Sequence, residues 1–124
     1  MTGYCAKIEE LTLANTYFRQ VLFTAPHSQL VLMALQPGEE IGAEVHANHD
    51  QFFRFEAGSG QVLIDGVTHE VSDGFAVVVP AGANHNVINT GTEVLKLYTI
   101  YSPAEHKDGT IHKTKAEAVA AEQH

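Results

Sequence analysis

Glu44 and His46 are the two side chains whose types and spacing most directly suggest chemistry. On a β-strand, residues two apart project to the same side, so both can face one interior while Val45 faces the other way. A carboxylate and a neutral imidazole are both ligands of divalent transition-metal ions. Glutamate on a strand more often faces solvent, so the assignment of Glu44 depends on its register with His46.

Turn residues recur at fixed distances around this pair and again downstream. The downstream stretch has the spacing glycine, five residues, proline, one, glycine, two, histidine, three, asparagine, at Gly74, Pro80, Gly82, His85 and Asn89. The upstream stretch runs glycine, five residues, Glu-Val-His, four, glutamine, six, glycine, at Gly38, Glu44 to His46, Gln51 and Gly58. Because glycine and proline punctuate turns, these residues predict strand ends, and Asn89 is expected to stabilise a turn.

These two spacings resemble the two motifs of the cupin family. Two residues of the first motif differ: Glu44 stands where the family has histidine, and Gln51 stands where it has glutamate. The resemblance covers residues 28 to 102. It implies an all-β fold, a single cupin barrel (a double-stranded β-helix or jelly roll), and the C-terminal sequence adds a short helical tail.

The resemblance also implies that the side chains of Glu44, His46, Gln51 and His85 converge inside the barrel. Two imidazoles, a carboxylate and an amide oxygen suit one divalent transition metal ion such as Mn, Fe, Co, Ni or Zn, and the absence of thiolate argues against a structural zinc site. His49 is a competing ligand that could replace Glu44 or Gln51. Gln51 could instead hold a water molecule or the substrate.

Such a site favours a metal-dependent enzyme that acts on a small oxygen-rich metabolite, such as a sugar acid or hydroxy-ketone, by an isomerase-like or tautomerase-like reaction. Glu44, His46 and His85 also have the composition of a two-histidine, one-carboxylate iron site, so an Fe(II)-dependent dioxygenase is the alternative. A non-catalytic metal- or ligand-binding barrel is the third hypothesis. His49 and Tyr98 are candidate proton donors or acceptors, but the sequence does not identify the general acid or base.

Composition excludes several partners. The chain has 124 residues and a net charge of −8, with seven scattered basic residues, so nucleic acid is not expected as a partner. Its apolar runs are too short to cross a bilayer, which requires about 20 residues. Cys5 has no intrachain disulfide partner and residues 1–10 lack a secretory pattern, which together favour the cytoplasm.

The remaining sequence predicts a single domain over residues 1–124, with N-terminal strands in 4–24, a core barrel in about 28–102 and a C-terminal loop and tail in 103–124. The resemblance to cupins also implies a homodimer, in which residues 4–24 are expected to cover an open barrel edge, because uncovered edges promote aggregation. Asp65 and Gly66 predict a tight hairpin.

Side-chain direction can be predicted for two of the barrel strands. The apolar run 75–79 predicts a strand buried on both faces. If Gln51, Phe53 and Phe55 point inward, then Arg54 points outward. The other histidines have no partner at ligand spacing and are interpreted as ordinary polar residues: His27, His69, His106, His112 and His124.

Overall fold

The computed structural model describes residues 2–122, which form two antiparallel β-sheets around a shared core. Apolar side chains from both sheets fill this core, as the all-β jelly-roll prediction requires. The elements in chain order are α1 (Ile8–Ala14), β1 (Arg19–Thr24), β2 (Gln29–Leu35), β3 (Glu44–Val45), β4 (Asp50–Ala57), β5 (Ser59–Ile64), β6 (Val67–Ser72), β7 (Ala76–Val79), β8 (Asn84–Ile88), β9 (Leu95–Ser102), β10 (Ile111–His112) and α2 (Lys115–Glu122).

The larger sheet has the order β10-β1-β2-β9-β4-β7, and the smaller sheet has the order β3-β8-β5-β6. Alternation along β4 and β9 directs one face of the larger sheet inward. Phe53, Phe55 and Leu97 on that face have no exposed surface, and neither do Val62 and Val87 of the smaller sheet. Burial of such side chains is the main force that holds the two sheets together.

Local predictions for two elements are confirmed. Asp65 and Gly66 both have positive φ values, 46° and 83°, and join β5 to β6 as the two-residue turn that this dipeptide favours. The predicted C-terminal helix is α2. No helix in residues 2–122 has the length and apolar character needed to span a membrane.

The N-terminal prediction is corrected in part, because residues 8–14 form a helix rather than a strand. Its sequence is rich in good helix formers, and Thr12 Oγ1 donates to the Ile8 carbonyl within the helix. The helix contacts β2, β4 and β9 of its own chain, and Thr12 is fully buried there. Homodimer formation through residues 4–24 stays a prediction.

The strand predicted at 75–79 is also corrected. Its strand residues form β7, which pairs with β4 alone and lies at the edge of the larger sheet. Val79 is 2% exposed, but Val78 is 64% exposed and Phe75 is 49% exposed. An apolar run therefore identified the strand but not its environment, because one face of an antiparallel sheet can face solvent, as it does at β7.

Candidate functional site

Strands β3 and β8 bring Glu44 and His85 side by side, since these residues are directly paired in the sheet. The predicted alternation is confirmed on β3, where Val45 is 55% exposed and His46 is only 9% exposed. The Glu44 side chain is 32% exposed. The two ligand candidates of the first motif and the histidine of the second therefore lie at one end of the small sheet.

Gln51 reaches the same place from the larger sheet. It is 3% exposed and shares the inward face of β4 with Phe53 and Phe55, as predicted. Arg54 points to the other face, where its Nε lies 2.8 Å from Glu56 Oε1. Gln51 Oε1 lies 3.1 Å from His85 Nε2, so the amide oxygen faces the second-motif histidine across the barrel.

The four predicted residues form two close pairs. Glu44 Oε2 lies 3.2 Å from His46 Nε2, Gln51 Oε1 lies 3.1 Å from His85 Nε2, and the two imidazole rings are 5.2 Å apart between centroids. The atoms that face one another are the donor atoms a metal would use. Zinc–nitrogen and zinc–oxygen bonds of about 2.0 to 2.2 Å place neighbouring ligand atoms roughly 3.0 to 3.5 Å apart.

The contact between Glu44 and His46 shifts the pKa values of these two residues in opposite directions. The hydrogen bond with Glu44 raises the pKa of His46. Burial alone would raise the pKa of Glu44, but the hydrogen bond and charge of His46 outweigh it and the net pKa is lowered. Burial lowers the pKa of His85. His85 is therefore held as a neutral imidazole, the form that binds metal.

The outer contacts of the second pair also match a metal site. His85 Nδ1 lies 3.3 Å from the Ala83 carbonyl oxygen, which can accept its hydrogen and leave the Nε2 lone pair facing Gln51 Oε1. Metal-bound histidines commonly have such a carbonyl partner on the other nitrogen. In that tautomer two lone pairs face and repel each other, and a cation between them would remove the repulsion.

Within residues 2–122, no group of three or more His, Cys, Asp or Glu side chains is arranged to hold a metal ion. The amide of Gln51 is not one of those four residue types, and the two pairs meet through the His46 and His85 rings and through the strand pairing of Glu44 with His85. The donor set thus fits a divalent ion in its chemistry. For all four donors to bind one ion, the Glu44–His46 pair and the Gln51–His85 pair must move closer together.

The cupin-domain family model matches residues 31–101. The chain belongs to the cupin family. A Bacillus subtilis (strain 168) protein named uncharacterized protein YrkC is 49% identical over 96% of this chain and 67% of its own length. The uncharacterized protein L612 of Acanthamoeba polyphaga mimivirus is 46% identical over 87% of this chain and 70% of its own length.

A solved structure shows the same fold in detail. BH2720 from Bacillus halodurans is 46% identical, has a TM-score of 0.93, and the match covers 94% of this chain and 93% of that one. The fold prediction is therefore confirmed beyond the two motifs, and the similarity extends to the helix and loops outside the barrel.

Glu105 is a residue of the cupin site that sequence reasoning missed. Its Oε2 atom lies 3.5 Å from His46 Nδ1 and 3.1 Å from His49 Nε2. His49, the competing ligand, contacts the Pro103 carbonyl with its other nitrogen, at 2.6 Å from Nδ1. Both of its ring nitrogens thus face oxygen atoms of the 103–105 loop rather than the Gln51 and His85 pair.

A buried glutamine holds this loop over the barrel. Gln29 has no exposed surface; its Oε1 accepts hydrogen bonds from the backbone nitrogens of Glu105 and His106, at 3.2 and 2.9 Å. Its Nε2 donates to the His106 carbonyl at 2.7 Å and to Thr24 Oγ1 at 2.9 Å. A polar residue at the start of an otherwise apolar strand was the one available signal for this contact.

The interpretation of His106 as an ordinary polar residue is corrected. Its Nε2 lies 3.3 Å from Tyr101 Oη, and burial lowers its pKa to about 4. Tyr101 is 2% exposed, contacts the His46 ring at 5.9 Å between centroids, and burial raises its pKa. Tyr98 points to the opposite face and packs against Phe52, so it does not line the site.

Proposed function

We propose that this cupin is a metal-dependent enzyme that acts on a small, oxygen-rich metabolite such as a sugar acid or hydroxy-ketone, by an isomerase-like or tautomerase-like reaction. Glu44, His46, Gln51 and His85 would hold the ion. The single observation that supports this assignment is the 3.1 Å contact between Gln51 Oε1 and His85 Nε2, which brings donors from both sheets together. A divalent ion there would supply Lewis-acid polarisation of a carbonyl and a neighbouring hydroxyl.

The residues around the pairs can move protons in such a reaction. Glu105 carries a carboxylate at the barrel mouth with a side chain that is 30% exposed, and its Oε2 contacts two imidazoles. That placement suits a general base that takes a proton from a substrate carbon and shares it with His49. We therefore propose Glu105 rather than Tyr98 for this role, with His49 as its partner, because Tyr98 packs against Phe52 on the opposite face.

Tyr101 and His106 form a second proton-handling pair. The pKa of about 4 keeps His106 neutral near pH 7, and its Nε2 lies 3.3 Å from the phenol oxygen. Burial raises the pKa of Tyr101, so the phenol keeps its proton. A neutral phenol close to His46 can donate a hydrogen bond to a developing negative charge on a substrate oxygen.

Elemental analysis of tag-free protein tests the metal assignment. The wild type should carry nearly one ion per chain, and Glu44→Ala and His85→Ala should both lose it. His69→Ala is the matched control because His69 lies on the exposed face of β6. A wild type that is empty and does not reload with Mn, Fe(II), Co, Ni or Zn would overturn the proposal and favour a non-catalytic binding barrel.

Two assays of the metal-loaded protein then distinguish the isomerase-like hypothesis from the dioxygenase hypothesis. With hydroxy-ketones and sugar acids in deuterated water, a proton-transfer enzyme introduces deuterium beside the carbonyl, which NMR detects. Loss of this exchange in Glu105→Gln, with metal content retained, supports Glu105 as the base. Oxygen consumption by iron-loaded protein, without deuterium exchange, would instead favour the Fe(II)-dependent dioxygenase.

A further inference from the structure

Arg19 is a buried cation of strand β1. The residue is 3% exposed, and it pairs with no carboxylate among residues 2–122. Its Nε is buried and has no hydrogen-bond partner within that range. Burying an unpaired charge is costly, so an arginine in this state indicates a group that binds something further.

Arg19 makes two contacts that leave its charge in place: its guanidinium lies 5.4 Å from the centroid of the Phe18 ring, and it meets His112. Arg19 Nη1 lies 3.2 Å from His112 Nδ1, and the two residues are directly paired between β1 and β10. A guanidinium only donates, so His112 Nδ1 accepts this hydrogen bond and the imidazole is neutral. Nη1 is thereby occupied and Nε is enclosed by protein atoms, so Nη2 is the guanidinium nitrogen that remains to donate to a carboxylate in the cavity.

Arg19 also shares a cavity with the proposed metal ligands. The cavity has a volume of about 410 Å³, and its charged lining residues are two cations, Arg19 and Lys107, and three carboxylates, Glu44, Glu105 and Glu122. The positive charge of Arg19 is close enough to lower the pKa values of both Glu44 and His106. Since the chain carries a net charge of −8, an anion needs a local cation of this kind to bind.

We propose that Arg19 binds the carboxylate of the ligand, so that the barrel takes hydroxy- or keto-carboxylates rather than neutral sugars or ketones. This inference rests on the proposed function for the site but names the substrate class within it. Arg19 holds the ligand at one side of the cavity, and Glu44 lines the same cavity from β3.

Glycolate, a small hydroxy-carboxylate, and glycolamide, its neutral counterpart, are the probes. Binding to metal-free protein is measured by NMR titration of the wild type, Arg19→Gln and Lys107→Gln. Lys107 is the matched control because it is an exposed cation that lines the same cavity. Glycolate should bind Arg19→Gln about tenfold or more weakly and Lys107→Gln within about threefold of wild type, and glycolamide should not distinguish the three proteins.

The wild type also provides a readout that needs no variant. The chain has two arginines, Arg19 and Arg54, so it gives two guanidinium Nε–H signals. Glycolate should shift the Arg19 signal and leave that of Arg54, which is paired with Glu56, unchanged. An unmoved Arg19 signal, or equal glycolate affinity in wild type and Arg19→Gln, would overturn the inference.

The outcomes separate this inference from the metal proposal. Arg19-dependent glycolate binding in a protein that takes up no metal would uphold the inference and reject the metal assignment. Metal loading with glycolate affinity that is independent of Arg19 would reject the inference alone. If Arg19 has only a structural role, Arg19→Gln should have a lower unfolding midpoint but the same glycolate affinity as the wild type. That result would also overturn the inference.

Discussion

Gln51 Nε2 donates a hydrogen bond of 3.0 Å to Thr99 Oγ1, and this contact turns the amide oxygen towards His85. Both residues are buried on the paired strands β4 and β9, where Thr99 lies two residues before Tyr101, the register partner of Gln51. The two ends of an amide have nearly the same shape but opposite hydrogen-bonding roles. Thr99 therefore determines that the site receives an acceptor atom at this position and not an N–H donor.

Replacing Thr99 with valine should weaken metal binding about tenfold, because the amide loses the partner that orients its oxygen. Competition with a chromogenic chelator measures the affinity. Thr99→Ser keeps the hydroxyl and should bind metal as the wild type does. Equal affinity in the wild type and Thr99→Val would show that Gln51 is not a ligand.

Replacing Gln29 with leucine should lower the free energy of unfolding by about 2 to 4 kcal/mol, since backbone groups of Glu105 and His106 lose their partner. Urea unfolding measures this loss, and hydrogen exchange should accelerate in residues 103–107. Gln61→Leu removes an exposed amide that donates to Glu70 and should change stability by about 0.5 kcal/mol or less. Unchanged exchange in the loop of Gln29→Leu would contradict the role of Gln29.

His106 should make stability fall as the pH falls below about 6.5. Burial lowers its pKa in the folded protein to about 4 from 6.5, so the unfolded chain takes up this proton first and stability is lost across that window. The charged and titratable groups that act on it are Arg19, Glu44, His46 and His112. All four groups remain in His106→Gln. The difference in pH-dependent stability between the wild type and this variant is therefore the contribution of His106.

Urea unfolding at pH 7 and pH 4.5 measures this effect. The wild type should lose about 2 kcal/mol more stability than His106→Gln between these pH values, after allowance for partial exposure of the ring. His27→Gln replaces an exposed histidine and should behave as the wild type does. Parallel pH dependence in wild type and His106→Gln would contradict the burial of His106.

Gly58 and Gly66 form a matched pair for testing how closely the backbone of Gly58, the last residue of the first motif, packs against the Val94 backbone. Both have positive φ, 86° and 83°, but an added Cβ at Gly58 would lie 2.7 Å from the Val94 carbonyl oxygen, whereas at Gly66 it meets nothing within 4 Å. Gly66→Ala should cost about 1 to 2 kcal/mol from backbone strain alone. Gly58→Ala should cost about 2 kcal/mol more in urea unfolding, and equal losses would contradict the contact.

Much of the barrel could be predicted from local patterns. Alternation along β4 predicted that Gln51, Phe53 and Phe55 share one face, and burial confirms it. Asn89, predicted to stabilise a turn, donates to the carbonyls of Leu35 and Glu93 and accepts from the Gly91 nitrogen. Period-two alternation and turn chemistry depend on neighbouring residues, which a sequence displays directly.

The sequence by itself determined the fold family, the register of Glu44 with His46 and the position of His85 in the second motif. Tertiary structure alone decided that Glu105 contacts His46, that His106 contacts Tyr101 and that Arg19 is buried beside Glu44's cavity. Gln29 and Glu105 are 76 residues apart, and no local period links them. Such contacts arise from how the sheets pack and where the loop closes over them, so only the folded chain specifies them.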